Sequence, residues 1–150
     1  MLSPGPHRTI EKKGLHMEET LAVGRIHQIE KRVSPELTAD HFGNTGVQVF
    51  ATPALVALLE ETAIGCIAAG LTEGQGSVGT RIDLQHLAAT PLGMKVEDRA
   101  ELTEVDGRRL VFKVEARDEQ ELIATGSHER FIVNSMEKFL ARAADKAKVG

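Results

Sequence analysis

The sequence predicts an α+β fold in which an antiparallel sheet of about five strands wraps around one long central helix. A single stretch, residues 53–70, is both long enough and apolar enough to form a core helix. The segments before and after it alternate between apolar and polar residues, as half-buried strands do. The order is one strand, the helix and then four strands, which we expect to pair as a meander. The apolar face of such a sheet needs a cover, and this helix can provide it.

The central helix is expected to start at Thr52-Pro53 and to stop at Gly70. A threonine hydroxyl can cap a helix N-terminus, proline fits the first helical position, and glycine is common just past a helix end. A helix that is apolar on nearly every side is either buried or membrane-spanning. We expect burial, because the stretch is short for a membrane span and Glu60 and Glu61 interrupt it.

Glu60 and Glu61 are the first functional candidates. Burying a charged carboxylate without a partner is costly, so an inward-facing glutamate needs an explanation. One or both residues can instead reach solvent along a narrow polar stripe, which is the usual environment of a glutamate. The helical period alone does not determine which of two adjacent residues faces inward, and both assignments stay open at this level.

The segments ahead of the helix are a strand and a long connector. The first strand is predicted from about residue 21 to residue 33, because its β-branched residues alternate and Ser34-Pro35 then breaks the chain. Residues 36–49 contain two glycines and no regular period. We expect this connector to be mobile and to cover a site at the start of the helix, as loops of this length often do.

Four strands are predicted after the helix. The first of them covers residues 77–87, and its helix-facing positions are predicted to be Val78, Thr80, Ile82, Leu84 and His86. The next three cover residues 94–105, 110–117 and 122–134, with a hairpin turn at Asp106-Gly107. Ser135 is then expected to cap a short helix that ends near residue 144.

Residues 1–18 are predicted to be a flexible leader, and residues 19–150 a single domain. The leader combines prolines and glycines without a period, and Met17 offers an alternative start. The single Cys66 excludes an intrachain disulfide and fits a reducing compartment, and no segment resembles a signal peptide. We therefore expect a cytoplasmic protein.

Composition narrows the function further. The chain has 41% hydrophobic and 27% charged residues, which is ordinary for a globular domain. A net charge of −4 argues against nonspecific nucleic-acid binding, and five phenylalanines without tryptophan or tyrosine offer little for base stacking. The six histidines lack the spacing of metal-ligand motifs, so we expect neither a metal nor another cofactor.

A set of short motifs, in this order and spacing, resembles the fluoroacetyl-CoA thioesterase family of hot-dog proteins. The resemblance covers roughly residues 20–140. The motifs are Phe-Ala-Thr at 50–52, Leu-Glu at 59–60, Gly-Gln-Gly-Ser-Val-Gly-Thr at 74–80, His at 86 with Ala-Ala-Thr-Pro at 88–91, Gly-Arg-Arg-Leu at 107–110, Gly-Ser-His-Glu-Arg at 126–130 and Glu-Lys-Phe at 137–139.

The resemblance implies a homodimeric hydrolase that cleaves acyl-CoA thioesters to a free acid and CoA with a threonine, a glutamate and a histidine. Whether two dimers pair further into a tetramer stays open. These roles fall on Thr52, Glu60 and His86, which selects Glu60 over Glu61. Gly79 is implied as an oxyanion donor, because no side chain there blocks a close approach. A thin sheet with exposed edge strands would also gain by pairing with a second copy.

The predicted roles leave several alternatives open. Glu60 can attack the thioester directly or activate a water. Thr52 can be only the helix cap, or its hydroxyl can bond the Glu60 carboxylate or the substrate. His86 is expected near Glu60 as a proton carrier, the alternative being a core-edge histidine bonded to a backbone carbonyl. A non-catalytic acyl-CoA-binding module is the competing function. A hydratase is disfavoured because no aspartate adjoins His86.

The sequence departs from the fluoroacetyl-specific pattern in the connector. Two aromatic residues that cover the acyl group there fall on Gly43 and Gly46 in this chain, with Phe42 one residue away. We therefore expect another short acyl-CoA as substrate, whose acyl group is of similar size or larger, with Phe42 and Phe50 as contact residues. The charged pair His128 and Arg130 is expected to hold the dimer or the sheet edge rather than to perform chemistry.

Overall fold

The computed structural model describes residues 21–148, which form five strands and two α-helices. A 3₁₀ turn at Pro35–Leu37 precedes the first helix, and another at Ala68–Gly70 follows it. The main elements are β1 (Ile26–Arg32), α1 (Thr52–Ile67), β2 (Gly76–His86), β3 (Lys95–Asp106), β4 (Arg109–Asp118), β5 (Leu122–Val133) and α2 (Met136–Asp145). The predicted α+β class and the predicted set of elements are confirmed, and the predicted leader lies outside the described residues.

The five strands form one antiparallel sheet in the order β1-β3-β4-β5-β2. The predicted meander is correct for β3, β4 and β5, which pair in sequence order. It is wrong for β2, which pairs with β5 instead of β3. Alternation in a sequence reports which face a strand presents, not which neighbour it pairs with, so the pattern could not show this crossover.

Helix α1 packs along the inner face of the sheet, as predicted. Its buried residues include Leu55, Leu59, Ala63 and Ile67, none of which is exposed to solvent. The stretch Thr52–Gly70 has 19 residues and a mean hydropathy of 1.4, so by length and composition it could cross a membrane. Its length therefore does not exclude a membrane span, contrary to the prediction. Half of the stretch is buried inside this fold, as expected of a core helix.

The start of α1 differs from the prediction at one residue. Ala51, in an extended conformation, occupies the cap position, and Thr52 is the first helical residue. The Leu55 amide donates to the Ala51 carbonyl at 2.9 Å, which closes the first turn. Thr52 is therefore not the helix cap, and its hydroxyl is free to bond elsewhere.

Strands β3 and β4 supply the floor under the helix. The alternating residues of β4 that were predicted to share one face are all fully buried: Leu110, Phe112, Val114 and Ala116. The predicted hairpin is confirmed, since Asp106 pairs with Arg109 across a two-residue turn. Gly107 has a φ of 62° in this turn, a left-handed conformation that favours glycine.

Strand β2 contains a bulge that changes which residues face the helix. Its pairing with β5 runs from Gly79 opposite Arg130 to Arg81 opposite Glu129, which leaves Thr80 unpaired. The Thr80 hydroxyl donates to the Glu129 carbonyl at 3.2 Å and so ties the bulge to β5. Because of the extra residue, Gly79 lies on the helix-facing side even though it is seven residues from His86.

Because of the bulge, part of the predicted set of helix-facing residues is wrong. Ile82, opposite buried His128, and His86, opposite buried Ala124, face the helix as predicted. Val78 does not, because it lies before the bulge and pairs with the exposed Phe131 on the outer face. Period-2 counting fails here because a bulge inserts one residue without an obvious sequence signal.

The two ends of the described chain follow the prediction with small shifts. Strand β1 begins later than expected, at Ile26, because Gly24 turns the backbone with a φ of 101°. The predicted cap of α2 is confirmed, since the Ser135 hydroxyl accepts a bond from the Lys138 amide at 3.2 Å. The predicted mobility of residues 36–49 stays a prediction; the segment is joined to the fold by a bridge between Thr38 and Phe50.

The core also contains a carboxyl group that the sequence patterns did not single out. Asp98 in β3 is fully buried, and neither of its carboxyl oxygens has a hydrogen-bond partner within residues 21–148. Burial, with added repulsion from Glu61 and Glu97, raises its pKa from 3.8 to about 7. Between these two pH values the folded chain holds a proton that the unfolded chain has lost, so the free energy of unfolding falls as pH rises.

We predict that Asp98→Asn flattens this pH dependence. The native chain should lose up to about 1.4 kcal/mol of unfolding free energy per pH unit through Asp98 between pH 5 and pH 7, and the variant should not. Urea unfolding at several pH values measures the difference. Glu30→Gln, at an exposed site on β1, is the control and should keep the native slope. Parallel profiles for the native chain and Asp98→Asn would contradict the prediction.

Candidate active site

Thr52 and His86 meet at one end of the sheet. The Thr52 hydroxyl lies 2.8 Å from His86 Nδ1. Thr52 is the first residue of α1 and His86 the last residue of β2, so the contact joins the beginning of the helix to the end of the strand. Phe50 is buried and packs edge-on against the imidazole, with 6.4 Å between ring centroids. Of the two predicted functions of Thr52, the structure excludes the cap and leaves the hydroxyl available for hydrogen bonding.

A cavity of about 380 Å³ opens above this pair. Its wall comes from the connector ahead of α1, from the start of the helix and from residues 87–89, and it is mostly apolar. Thr52, His86 and Asn44 contribute polar side chains to it. Apolar pockets of a few hundred Å³ with a few placed polar groups are the usual form of a small-molecule site. The connector therefore borders a cavity of this form, and its predicted role as a cover over a site stays a prediction.

Of the two predicted aromatic contact residues, one lines the cavity. Phe50 is part of its wall. Phe42 lies on the connector with half of its surface exposed and is not among the lining residues. Gly43 and Gly46 have φ values of 102° and 84°, and a β-carbon built on either would meet nothing within 4 Å. Neither glycine is among the lining residues of the cavity.

The imidazole of His86 is held in its neutral form. Burial lowers its pKa below the ordinary value of 6.5. A neutral ring has one N–H group and one lone pair, so Nδ1 either accepts from the Thr52 hydroxyl or donates to it. The other nitrogen, Nε2, is buried and has no hydrogen-bond partner within the described chain. His86 therefore has one nitrogen that a substrate or another chain could satisfy.

Glu60 lies away from this pair. It is eight residues after Thr52 on α1, about 12 Å along the helix axis. Its carboxylate oxygen Oε2 is 3.2 Å from Arg130 Nη1 and 3.8 Å from His128 Nε2. Within a single chain, the expected proximity of His86 to Glu60 is thus not found. The three predicted catalytic residues fall into two groups.

Gly79 lies beside Glu60. A β-carbon built on Gly79 would collide with Glu60 Oε2 and would stand 3.2 Å from both Arg130 Nη1 and His128 Cε1. The missing side chain therefore makes room for the glutamate carboxylate against the backbone of β2. The sequence predicted that a close approach occurs at Gly79, and the structure identifies Glu60 as a group that makes it.

The choice of Glu60 over Glu61 agrees with the packing. Glu60 is partly buried and has charged neighbours, whereas Glu61 is exposed. One glutamate thus reaches solvent, as the pattern allowed, and the other faces the sheet. The cost of placing a carboxylate there is offset by the Arg130 guanidinium beside it.

Arg130 and His128 were predicted to hold a dimer or a sheet edge, and the edge assignment is wrong. Strand β5 lies inside the sheet, between β4 and β2, and both side chains are buried on its helix-facing side. The available signal was their alternation with Ala124 and Ile132, since charged residues at apolar positions of a strand need buried partners. Sequence reasoning named these residues and missed their contact with Glu60.

Comparisons with protein families and with single proteins point to the same family. Residues 33–136 match the fluoroacetyl-CoA-specific thioesterase family. The chain is 43% identical over 140 residues to the fluoroacetyl-CoA thioesterase of Streptantibioticus cattleyicolor, covering 89% of this chain and 100% of that protein.

Solved structures agree with the sequence comparison. A Thr-to-Ser variant of a fluoroacetyl-CoA thioesterase in complex with acetyl-CoA superposes with a TM-score of 0.79 at 37% identity, over 83% of this chain and 97% of that one. A hot-dog-like protein from Thermanaerovibrio acidaminovorans superposes with a TM-score of 0.78 at 28% identity, over 87% and 96%. The hot-dog fold predicted from the sequence is confirmed.

We predict that Gly79→Ala displaces Glu60 without unfolding the chain. The colliding atom is the end of a flexible side chain, so the chain should stay folded. Because the buried Arg130 loses its partner, we expect a loss of unfolding free energy of about 1–3 kcal/mol. The carboxylate should leave Arg130, breaking the 3.2 Å contact. A crystal structure and a thermal melt of the variant measure both effects. Thr80→Ala is the control and should leave Glu60 in place, while a shifted β2 backbone with Glu60 still on Arg130 would contradict the prediction.

Proposed function

The chain belongs to the fluoroacetyl-CoA-specific thioesterase family and hydrolyses acyl-CoA thioesters, and we propose that Thr52, His86 and Glu60 carry out this reaction on a short acyl-CoA. The observation that carries the proposal is the 2.8 Å contact between Thr52 and His86 at the polar end of an apolar cavity. The apolar wall suits an acyl group, and the polar pair suits the thioester carbonyl and the protons that move during hydrolysis.

Each residue type fits a defined part of the reaction. Glu60 either attacks the carbonyl carbon, forming an anhydride as the C–S bond breaks, or removes a proton from an attacking water. CoA leaves as a thiolate and takes up a proton, and water hydrolyses the anhydride if one has formed. His86 is neutral and can accept or pass on a proton, and the Thr52 hydroxyl orients its ring. The backbone N–H of Gly79 is the proposed oxyanion donor.

We further propose that the two groups of residues come together in a homodimer. Strand β2 has a free edge in the described chain, and two apolar residues near it, Ile82 and Ile64, are 37% and 45% exposed. If two copies pair along β2 about a twofold axis near its middle, the Gly79 half of one strand lies beside the His86 half of the other. Glu60 and Gly79 would then face Thr52 and His86 of the partner subunit.

Two glycines of the connector support a substrate other than fluoroacetyl-CoA. Gly43 and Gly46 offer no side chain to cover the acyl group, and their left-handed backbone disfavours any larger residue there. We propose acetyl-CoA or a somewhat longer acyl-CoA, the related enzyme variant having been solved with acetyl-CoA. CoA as a substrate and a single buried thiol at Cys66 support a cytoplasmic location.

The first test is CoA release from a panel of acyl-CoAs by the native protein and His86→Ala. We expect acetyl-, propionyl- or butyryl-CoA to be hydrolysed at least as well as fluoroacetyl-CoA, and the variant to lose about 10²–10⁴-fold in rate. His41→Ala, an exposed histidine outside the cavity wall, should keep native activity. A strong preference for fluoroacetyl-CoA would contradict the substrate proposal, and an active His86→Ala the catalytic one.

A complementation experiment tests the shared site. Glu60→Gln and His86→Ala chains carrying different affinity tags are co-expressed, and the doubly tagged dimer is isolated. Each single-variant dimer should be inactive, whereas the mixed dimer keeps one complete site and about half of the native rate. If each site lies within one chain, the mixed dimer has a lesion in both sites and stays inactive.

A further inference from the structure

Arg130 is fixed by more contacts than a surface arginine would be. It is 4% exposed, and its Nε donates to the Ser77 hydroxyl at 2.8 Å while Nη2 donates to the Ser77 carbonyl at 3.0 Å. These two bonds to one residue of the neighbouring strand set the plane of the guanidinium. The remaining nitrogen, Nη1, is thereby aimed at Glu60 and His128, with 3.2 Å to each.

His128 is arranged to accept from this arginine. Its Nδ1 lies 2.8 Å from the Arg81 carbonyl, and since a carbonyl only accepts, Nδ1 carries the proton. Burial lowers the pKa of His128, so the ring is neutral and Nε2 has only a lone pair to offer. Nε2 therefore accepts from Arg130 Nη1. The backbone of the bulged strand thus fixes the histidine tautomer, and the histidine in turn fixes the arginine.

The network engages one of the two oxygens of Glu60. Within residues 21–148 its ion pair with Arg130 involves Oε2, and the same oxygen lies 3.8 Å from Nε2 of the neutral His128. Gly79 leaves the space in which this oxygen lies. The other oxygen, Oε1, takes part in neither contact. A carboxylate held by one oxygen leaves its other oxygen available for reaction.

On the proposed role of Glu60, we propose that Arg130 is a positioning residue for the thioesterase reaction: it holds Oε2 of the Glu60 side chain so that Oε1 reaches the thioester or the attacking water. Ser77 and His128 orient Arg130 and do not touch the substrate.

A double-mutant cycle tests this assignment. The native chain, Arg130→Met, Glu60→Gln and the double variant are compared in kcat and KM for the preferred acyl-CoA. Arg130→Met should lower kcat by about 10²-fold with little change in KM, since a misplaced reacting group costs rate more than binding. Because Arg130 acts through Glu60, the double variant should be no slower than Glu60→Gln alone.

Two further variants separate positioning from folding. Arg130→Lys keeps the charge but cannot bond Ser77 and Glu60 together, and it should recover part of the lost kcat even if Arg130→Met is poorly folded. Arg109→Met removes an arginine that pairs with Glu129 and Glu104 on the surface, and it should keep native activity. Thermal melts of all variants show which of them are folded.

The outcomes distinguish this inference from the proposal on which it rests. An active Glu60→Gln would overturn the role of Glu60 itself. With Glu60→Gln strongly slowed but still measurable, the positioning role is overturned if a folded Arg130→Met or Arg130→Lys has the native kcat. It is also overturned if the two losses multiply in the double variant. Loss in kcat, partial recovery by lysine and no added loss in the double variant would establish it.

Discussion

A carboxylate in the middle of an otherwise apolar helix is the constraint from which the site is built. Glu60 lies on the face of α1 that packs toward the sheet, so the sheet has to supply an opposite charge and a space. Arg130 provides the charge, and Gly79 provides the space by having no side chain. The regular geometry of a hydrogen-bonded sheet leaves few other positions for the charge or for the space. Residues that are far apart in sequence therefore lie around one oxygen atom of Glu60.

The contact between Thr52 and His86 depends on where α1 begins and where β2 ends. Ala51, rather than Thr52, takes the cap position, and this shift of one residue frees the hydroxyl that contacts His86. His86 ends β2 where α1 begins, so the helix start and the strand end form one polar corner under an apolar cavity. The helix therefore carries one residue of each group, and the two are about 12 Å apart along its axis.

The sequence was most informative where periodicity and local chemistry coincide. The burial of the β4 residues, the turn at Gly107 and the Ser135 cap follow from alternation and side-chain chemistry, and all are found. The crossing of β2 to β5 and the contact of Arg130 with Glu60 are set by tertiary packing, which leaves no local pattern. Asp98 was overlooked because an aspartate in a mixed strand face looks ordinary until the depth of its burial is known.

The bulge at Thr80 changes which residues of strand β2 face the helix. Before it, odd-numbered residues point toward the helix, and after it even-numbered residues do, so Gly79 and His86 share a face across an odd interval. The interval is consequently a fixed quantity: one residue more or fewer between them would turn one of the two outward, however well each motif were preserved. When related chains are aligned, the number of residues across this segment is therefore as diagnostic of the site as the identities of the residues at its ends.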